Sequence, residues 1–126
     1  MERRRISSQQ PLERKYGYSR AVLAGDRVFV SGTVATMPDG SDPPPEAYAQ
    51  ARRALEIIIE ALREAGAGPE HVVRTRIYLT SVDVWEEVAR AHAEVFGASR
   101  PTSTAVVTQL IDPRWHVEIE AEALLP

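Results

Sequence analysis

The clearest pattern along the chain is a strict alternation of apolar and polar positions near its C-terminus. Between Trp115 and Ala123 the apolar residues fall on one face, whereas His116 and three glutamates fall on the other. The apolar positions are Val117, Ile119, Ala121 and Ala123, and the glutamates are Glu118, Glu120 and Glu122. A period of two predicts a strand with one buried face. The three carboxylates on the opposite face must pair with positive charges, face solvent or serve a function.

The segment before this strand predicts a second strand. Residues 102–110 are rich in Thr and Val, which fit a pleated surface. Asp112-Pro113 then has the composition of a turn. We therefore expect Arg100 to Ala123 to form two strands joined by a turn.

The N-terminal third predicts a hairpin. Residues 21–23 and 28–33 are β-prone, and Gly25-Asp26 supplies a turn between them. Residues 1–15 are polar and charged, and they predict a loose arm with a short strand near Ile6.

Two helices are predicted. From Glu46 to Ala65, apolar residues recur every three or four positions, and Gly66 follows where a left-handed cap is favoured. Asp83 and Glu86 form a capping-box pattern that begins a second helix, which extends to Phe96. Its predicted buried stripe contains Trp85, Val88, His92 and either Val95 or Phe96.

Residues 71–79 alternate again and complete the order β-β-α-β-α-β-β. We expect one α+β domain spanning residues 1–126, with both helices packed on one face of a mixed sheet. The other face would carry a half-apolar, half-charged surface that predicts a homo-oligomer. Its predicted members are Val72, Arg74, Arg76 and Tyr78 from one strand and Glu118, Glu120 and Glu122 from another.

Composition excludes several classes of protein. A net charge of -3 argues against a nucleic-acid partner, because phosphate binding needs a basic surface. The chain has no cysteine, which fits a reducing compartment, and we expect it in the cytoplasm. No stretch is long and apolar enough to span a bilayer, and the three histidines lack metal-ligand spacing.

The order and spacing of several segments resemble the Rid family, also called the YjgF/YER057c/UK114 family. These segments are residues 30–33, the helix from Gln50 to Gly66, the strand from Val73 to Asp83, and Arg100-Pro101 followed by Val117 to Ala121. The resemblance implies a chorismate-mutase-like α+β fold and a homotrimer with small-molecule clefts between subunits. It also implies hydrolysis of 2-imino or enamine acids to 2-oxo acids and ammonia, without metal or cofactor.

The same resemblance assigns site residues one at a time. Glu118 matches the family's acid, and Tyr18 matches the tyrosine before the first hairpin. Ser31, Gly32 and Thr33 match the segment that lines the cleft. Ser103 stands where deaminases have the arginine that clamps the substrate carboxylate, and Ala89 stands where many members have an asparagine.

A serine hydroxyl cannot replace the charge of a guanidinium, so this chain resembles a subgroup whose substrate differs from a simple 2-imino acid. Arg20 and Arg100 are candidate substitute cations, although nothing in the sequence places either in the cleft. Trp115 would lie near the Ser103 end, either as a lid over an apolar ligand or as plain packing.

The chemistry agrees with these residues. Imine hydrolysis needs a positioned water and a proton shuttle, and a carboxylate with a tyrosine hydroxyl can supply both. Glu118 is then catalytic or is a surface carboxylate in an ion pair, and Tyr18 is catalytic or a packing residue. Three functions stay open. They are an imine or enamine hydrolase, a metabolite-binding trimer without catalysis, and, least favoured by the acidic composition, a ribonuclease.

Overall fold

The computed structural model of the chain describes residues 2–126, which form a six-stranded sheet and three α-helices. The strands are β1 (Arg3–Ile6), β2 (Ala21–Ala24), β3 (Arg27–Thr33), β4 (Val72–Leu79), β5 (Thr102–Val107) and β6 (Val117–Leu124). The helices are α1 (Pro11–Tyr16), α2 (Ala47–Glu64) and α3 (Trp85–Phe96), with 3₁₀ turns at Pro69–His71 and Val82–Val84. From β2 onward the predicted order β-β-α-β-α-β-β is confirmed.

The strands lie in the order β1-β2-β3-β6-β4-β5, and every pair is antiparallel except β4 with β5. The last two strands are joined through a turn at residues 113–114, as predicted, but they do not pair with each other, because β4 lies between them in the sheet. Helix α3 carries the chain from β4 to β5, which is the crossover that a parallel pair requires. β6 instead fills the gap between β3 and β4, at the centre of the sheet.

The core lies between one face of this sheet and the helices α2 and α3. The predicted stripe of α2 is buried, and Ala51, Leu55, Ile58 and Leu62 are all inaccessible to solvent. The alternation of β6 is confirmed as well, since Val117, Ile119, Ala121 and Ala123 are buried. Helix α2 ends in a Schellman motif, in which Gly66 has φ 88° and the Ala67 N–H donates to the Leu62 carbonyl at 2.8 Å.

The start of α3 differs from its prediction. Ser81 caps the preceding 3₁₀ turn, where its Oγ accepts a hydrogen bond from the Asp83 N–H, and Val84, the residue before α3, makes no side-chain cap hydrogen bond. Because α3 begins only at Trp85, that side chain lies at the helix end and is 39% exposed, whereas the buried side chains include Val88 and Phe96. His92 is only half-buried, with its ring centroid 4.8 Å from that of Phe96.

A β-bulge changes which face the first residues of β4 present. Val72 pairs with Ala123 and Arg74 pairs with Glu122, so two residues of β4 oppose one step of β6. Val72 is therefore buried, and Val73 is 42% exposed. The sequence pattern placed these two side chains on the opposite faces, because an extra residue reverses the alternation before it.

The N-terminal residues are more ordered than the predicted loose arm. β1 pairs with β2, which confirms the short strand near Ile6, and the Ile6 side chain is buried. Helix α1 follows, and its Glu13 carboxylate accepts hydrogen bonds from the Ser7 and Ser8 hydroxyls. Within residues 2–126, no helix is both long enough and apolar enough to cross a membrane.

Candidate active site

The candidate site lies on the face of the sheet that the helices leave open. β6 places Glu118 there, opposite Tyr78 of β4 in the strand register. Farther along the same face, the Tyr78 hydroxyl donates to Glu120, and Arg76 lies 3.5 Å from both Glu120 and Glu122. Cross-strand ion pairs and a hydrogen bond thus engage two of the three glutamates. The Glu118 side chain is half-buried and outside these pairs.

A second β-bulge, in β3, lies beside Glu118. Val30 pairs with Ala121 and Thr33 pairs with Ile119, so Ser31 and Gly32 share one step of β6. A Cβ atom built on Gly32 would lie 2.8 Å from Oε2 of Glu118 and 3.0 Å from its Cδ. Real Cβ atoms do not approach that closely, so any larger residue at position 32 would force the Glu118 carboxyl group to move from its present position. β-Bulges often change the direction of a strand beside active sites, and this one leaves space for the Glu118 carboxyl group.

The two hydroxyl residues beside Gly32 hold the bulge. The Ser31 hydroxyl donates to the Ser19 carbonyl at 2.7 Å, and the Thr33 hydroxyl donates to the Ser31 carbonyl at 2.7 Å. Thr33 is completely buried. Both hydroxyl protons are committed to backbone acceptors, so these residues position the strand.

Arg20, the residue before β2, also supports the bulge. Its guanidinium donates to the Gly32 carbonyl at 2.6 Å, and the Ser31 N–H donates to the Arg20 carbonyl at 3.0 Å. Burial lowers the pKa of Arg20, whereas the negative charges of Glu13 and Glu118 act to raise it. Arg20 is therefore the positive charge near the candidate acid that the sequence alone could not place.

The environment of Glu118 favours its protonated form. Burial and the negative charge of Glu120 raise the pKa of Glu118, and the positive charge of Arg20 only partly opposes them. A carboxyl group whose pKa moves toward neutrality is better able to both accept and donate a proton near pH 7.

Tyr18 lies between α1 and β2, two residues before Arg20. It is 43% exposed. Within residues 2–126, no hydrogen bond joins the Tyr18 hydroxyl to Glu118. The hydroxyl is thus available to a ligand.

Ser103 lies on the other face of the sheet. It pairs with Thr75 in the parallel register of β4 and β5, and its Oγ accepts a hydrogen bond from the Thr75 hydroxyl at 2.8 Å. The Thr75 hydroxyl also lies 2.8 Å from Nε2 of His92, and burial lowers the pKa of His92. A chain of His92, Thr75 and Ser103 therefore runs from α3 to the edge strand. A single protomer does not bring Ser103 and Glu118 together.

The remaining predicted residues lie in loops. Arg100 is exposed, has φ 48°, and precedes β5. Trp115 is half-buried in the loop before β6, not in the strand itself, and the Arg114 guanidinium carbon lies 5.2 Å from its ring centroid.

Gln50 is a residue whose role the sequence analysis missed. It is 1% exposed on the apolar stripe of α2. Its amide nitrogen donates to the Pro44 and Arg114 carbonyls at 2.9 Å, and its oxygen accepts from the His116 N–H at 2.8 Å. Gln50 thereby fixes the loop that carries Trp115. A polar residue on an otherwise apolar helical stripe was the available clue.

Within the described residues, no group of three or more His, Asp or Glu side chains is arranged to hold a metal ion.

Comparison with known proteins decides the family. The family model described as Endoribonuclease L-PSP matches residues 8–125. The chain belongs to this family. A solved structure from Mycobacterium tuberculosis, described as a member of the YjgF/YER057c/UK114 family, is 44% identical and superposes with a TM-score of 0.89, covering 98% of this chain and 100% of that one. These matches confirm the Rid-family resemblance and its α+β fold.

Curated relatives extend the comparison. An uncharacterized protein of Streptomyces coelicolor is 42% identical over 121 residues, which cover 95% of this chain and 90% of that protein. The rat protein named 2-iminobutanoate/2-iminopropanoate deaminase is 29% identical over 108 residues, which cover 85% of this chain and 79% of that protein. The family thus includes proteins named as imine deaminases.

Proposed function

We propose that this protein is a hydrolase of the imine or enamine type, with Glu118 as its acid–base group. The observation that carries the proposal is the environment of Glu118. Its half-buried carboxyl group lies against Gly32, and its pKa is raised. A relative named for imine deamination supports the reaction class. With glycine at position 32, the carboxyl group occupies space that a Cβ atom would otherwise fill.

The reaction follows from these groups. The Glu118 carboxylate accepts a proton from a water that attacks the carbon of the C=N bond, and the protonated carboxyl group then delivers a proton to the nitrogen. Glu118 then takes the hydroxyl proton of the carbinolamine and passes it to the amino group, so that ammonia leaves as the C=O bond forms. One imine and one water thus give one carbonyl compound and one ammonia. Tyr18 holds the leaving nitrogen by a hydrogen bond. Such positioning suffices because imines already react with water.

The proposed catalytic unit is a homotrimer with its ligand clefts between subunits. The open face of the sheet supports this, because it carries apolar side chains beside the charged ones. Phe29, Val73 and Leu124 are each more than 40% exposed. A cleft between subunits would also let Ser103 of one protomer approach Glu118 of another, which a single protomer does not do.

Ser103 sets the proposed substrate class. A hydroxyl group offers a neutral hydrogen bond where a guanidinium would clamp a carboxylate, so the preferred substrate is an imine or enamine without a carboxylate at that point. The Thr75 hydroxyl donates a hydrogen bond to Ser103 Oγ, and this bond fixes the direction in which the Ser103 hydroxyl can donate to a ligand.

The test compares two substrates with one variant. Wild-type protein and Ser103→Arg would be assayed on a 2-imino acid, generated by an amino-acid oxidase and trapped by semicarbazide, and on an uncharged N–H ketimine. We expect wild type to prefer the uncharged imine, and Ser103→Arg to raise hydrolysis of the 2-imino acid at least about tenfold. An unchanged preference in Ser103→Arg would show that position 103 does not set substrate charge.

A metabolite-binding trimer without catalysis is the second candidate. It is favoured by the same Ser103 and by Ala89, because two contacts implied by the resemblance to catalytic members are missing. Thermal stabilisation by a ligand without any turnover would select it, since binding to the native state raises the unfolding temperature.

A further inference from the structure

A cavity of about 440 Å³ lies away from Glu118, on the α2 side of the N-terminal strands. It is bounded by residues 7–10, by residues 36–38 and by the C-terminal half of α2. Glu118 is not among its lining residues. This volume falls in the range of small-molecule sites.

Arg20 forms one wall of this cavity and lacks a direct counter-ion. Its only hydrogen-bond acceptor within residues 2–126 is the Gly32 carbonyl, and its Nε is buried without any partner. Among the same residues no carboxylate is close enough to form an ion pair with it. The charges of Glu13 and Glu118 act on Arg20 without forming an ion pair with it. Because a half-buried cation without a direct ion pair is only partly compensated, this arrangement favours an anionic ligand beside Arg20.

A second cation lines the same cavity. The Arg53 Nε donates to the Thr36 carbonyl at 2.9 Å, which holds its guanidinium against residues 36–38. Its Nη1 lies 3.3 Å from Glu56. Arg20 and Arg53 thus both line this cavity, and guanidinium groups bind carboxylates strongly.

The cavity also contains acidic and apolar parts. Glu60 and Glu64 lie one helical turn apart on α2 and supply negative charge. The apolar lining consists of Ile6, Met37, Pro38, Ile57 and Ala61. A ligand that satisfies all three parts carries a carboxylate, an ammonium group and an aliphatic side chain.

We propose that this cavity binds a free aliphatic α-amino acid, with its carboxylate on Arg20 and Arg53 and its ammonium group facing Glu60 and Glu64. The site is separate from the proposed catalytic one and does not depend on that function. Arg20 connects the two, because the guanidinium that would meet the ligand also donates to the carbonyl of Gly32, on which Glu118 rests. The occupied cavity would therefore change the electrostatic environment of Glu118.

Calorimetric titration with three isosteric probes tests the proposal. L-valine carries both charges, 3-methyl-2-oxobutanoate lacks the ammonium group, and 2-methylpropylamine lacks the carboxylate. We expect valine to bind at least about tenfold more tightly than either counterpart. Absence of valine binding, or equal binding of the 2-oxo acid, would overturn the proposal.

Variants then locate the bound molecule. Arg20→Gln should weaken valine binding at least about tenfold. Glu60→Gln, at an exposed position where folding is not at risk, should weaken binding of valine but not of the 2-oxo acid. Arg52→Gln is the matched control, because Arg52 faces Glu94 and lies outside the cavity. Glu118→Gln should keep valine binding, with only the small change in affinity that its coupling to Arg20 implies. Valine binding that is lost in Glu118→Gln but kept in Arg20→Gln and Glu60→Gln would place the amino acid in the catalytic site and contradict the inference.

Discussion

Gly32 and Glu118 are in direct contact across the β3–β6 bulge, where a Cβ at position 32 would lie 2.8 Å from Oε2 of Glu118. The relationship explains why a glycine in a strand is useful here, since glycine otherwise weakens strands. The family resemblance named these two residues separately. In the structure, the absence of a side chain at Gly32 provides the space that the Glu118 carboxyl group occupies.

The first prediction concerns Gly32→Ala. The added methyl group displaces the carboxyl group of Glu118, which is the end of a flexible side chain, so the fold should lose little stability. Misplacement of a catalytic group by about 1 Å can cost on the order of a hundredfold in rate. We expect a loss of tenfold to a hundredfold in imine hydrolysis with an unchanged unfolding temperature. On a Glu118→Gln background, the same substitution should cost no further activity.

The second prediction concerns Glu118 and pH. The raised pKa means that the folded state binds a proton more tightly than the unfolded state does. The stability of the wild type should therefore fall as pH rises from the ordinary carboxyl pKa through the raised one. Glu118→Gln removes this dependence and should unfold at a higher temperature than wild type near pH 7. A lower unfolding temperature for Glu118→Gln at pH 7, measured by calorimetry, would contradict the proposed environment of the acid.

The third prediction concerns His92, whose pKa is lowered by burial. Between that lowered pKa and the ordinary value of 6.5, the unfolded chain binds more protons than the folded one, so stability should rise with pH across this interval. Nuclear magnetic resonance titration of the His92 ring should give a midpoint below 6.5. His92→Gln should flatten the pH dependence of stability in this interval.

Thr75→Val provides a related test of the buried hydroxyl chain. Valine matches threonine in shape but cannot hydrogen-bond to His92 or Ser103. Loss of the shared partner should cost about 1–3 kcal/mol of unfolding free energy, because the half-buried imidazole Nε2 is left unsatisfied. Denaturant unfolding measures this cost, and a value near zero would show that the chain contributes nothing to stability.

Much of the fold follows from local periodicity. The stripe of α2 and the alternation of β6 each depend on residues close in sequence, and both are confirmed. Strand neighbours are set by distant contacts, so the pairing of β5 with β4 was not visible. The two bulges, at residues 31–32 and 72–73, depend on register between strands, and periodicity assigned Val72 and Val73 to the wrong faces for that reason.

The candidate site was only partly predictable. Glu118, Gly32 and Tyr18 were named from the family resemblance, but their arrangement required the bulge. The burial of Arg20 depends on packing between β2, α1 and β3, and no sequence pattern reports it. Gln50 looked like one polar residue on an apolar stripe until its partners in the 114–116 loop were known.

The fourth prediction concerns that glutamine. Gln50→Ala leaves the Pro44 and Arg114 carbonyls and the His116 N–H without their partner. We expect a loss of about 2–4 kcal/mol in unfolding free energy, reduced where water can enter. Gln109→Ala is the matched control, since Gln109 is exposed and should change stability by less than about 0.5 kcal/mol. Similar effects of the two substitutions in denaturant unfolding would argue against a structural role for Gln50.

The most direct test of the account is hydrolysis of an imine by wild type, Glu118→Gln and Glu120→Gln. Both glutamates lie on the open face of β6, but Glu120 is engaged by Tyr78 and Arg76, whereas Glu118 rests on Gly32. With a 2-imino acid and an uncharged N–H ketimine as substrates, we expect wild type to accelerate loss of at least one imine. Glu118→Gln should lose at least about a hundredfold of that activity and Glu120→Gln only a few-fold. Full activity in Glu118→Gln, or no acceleration by wild type on either substrate, would contradict the proposed function.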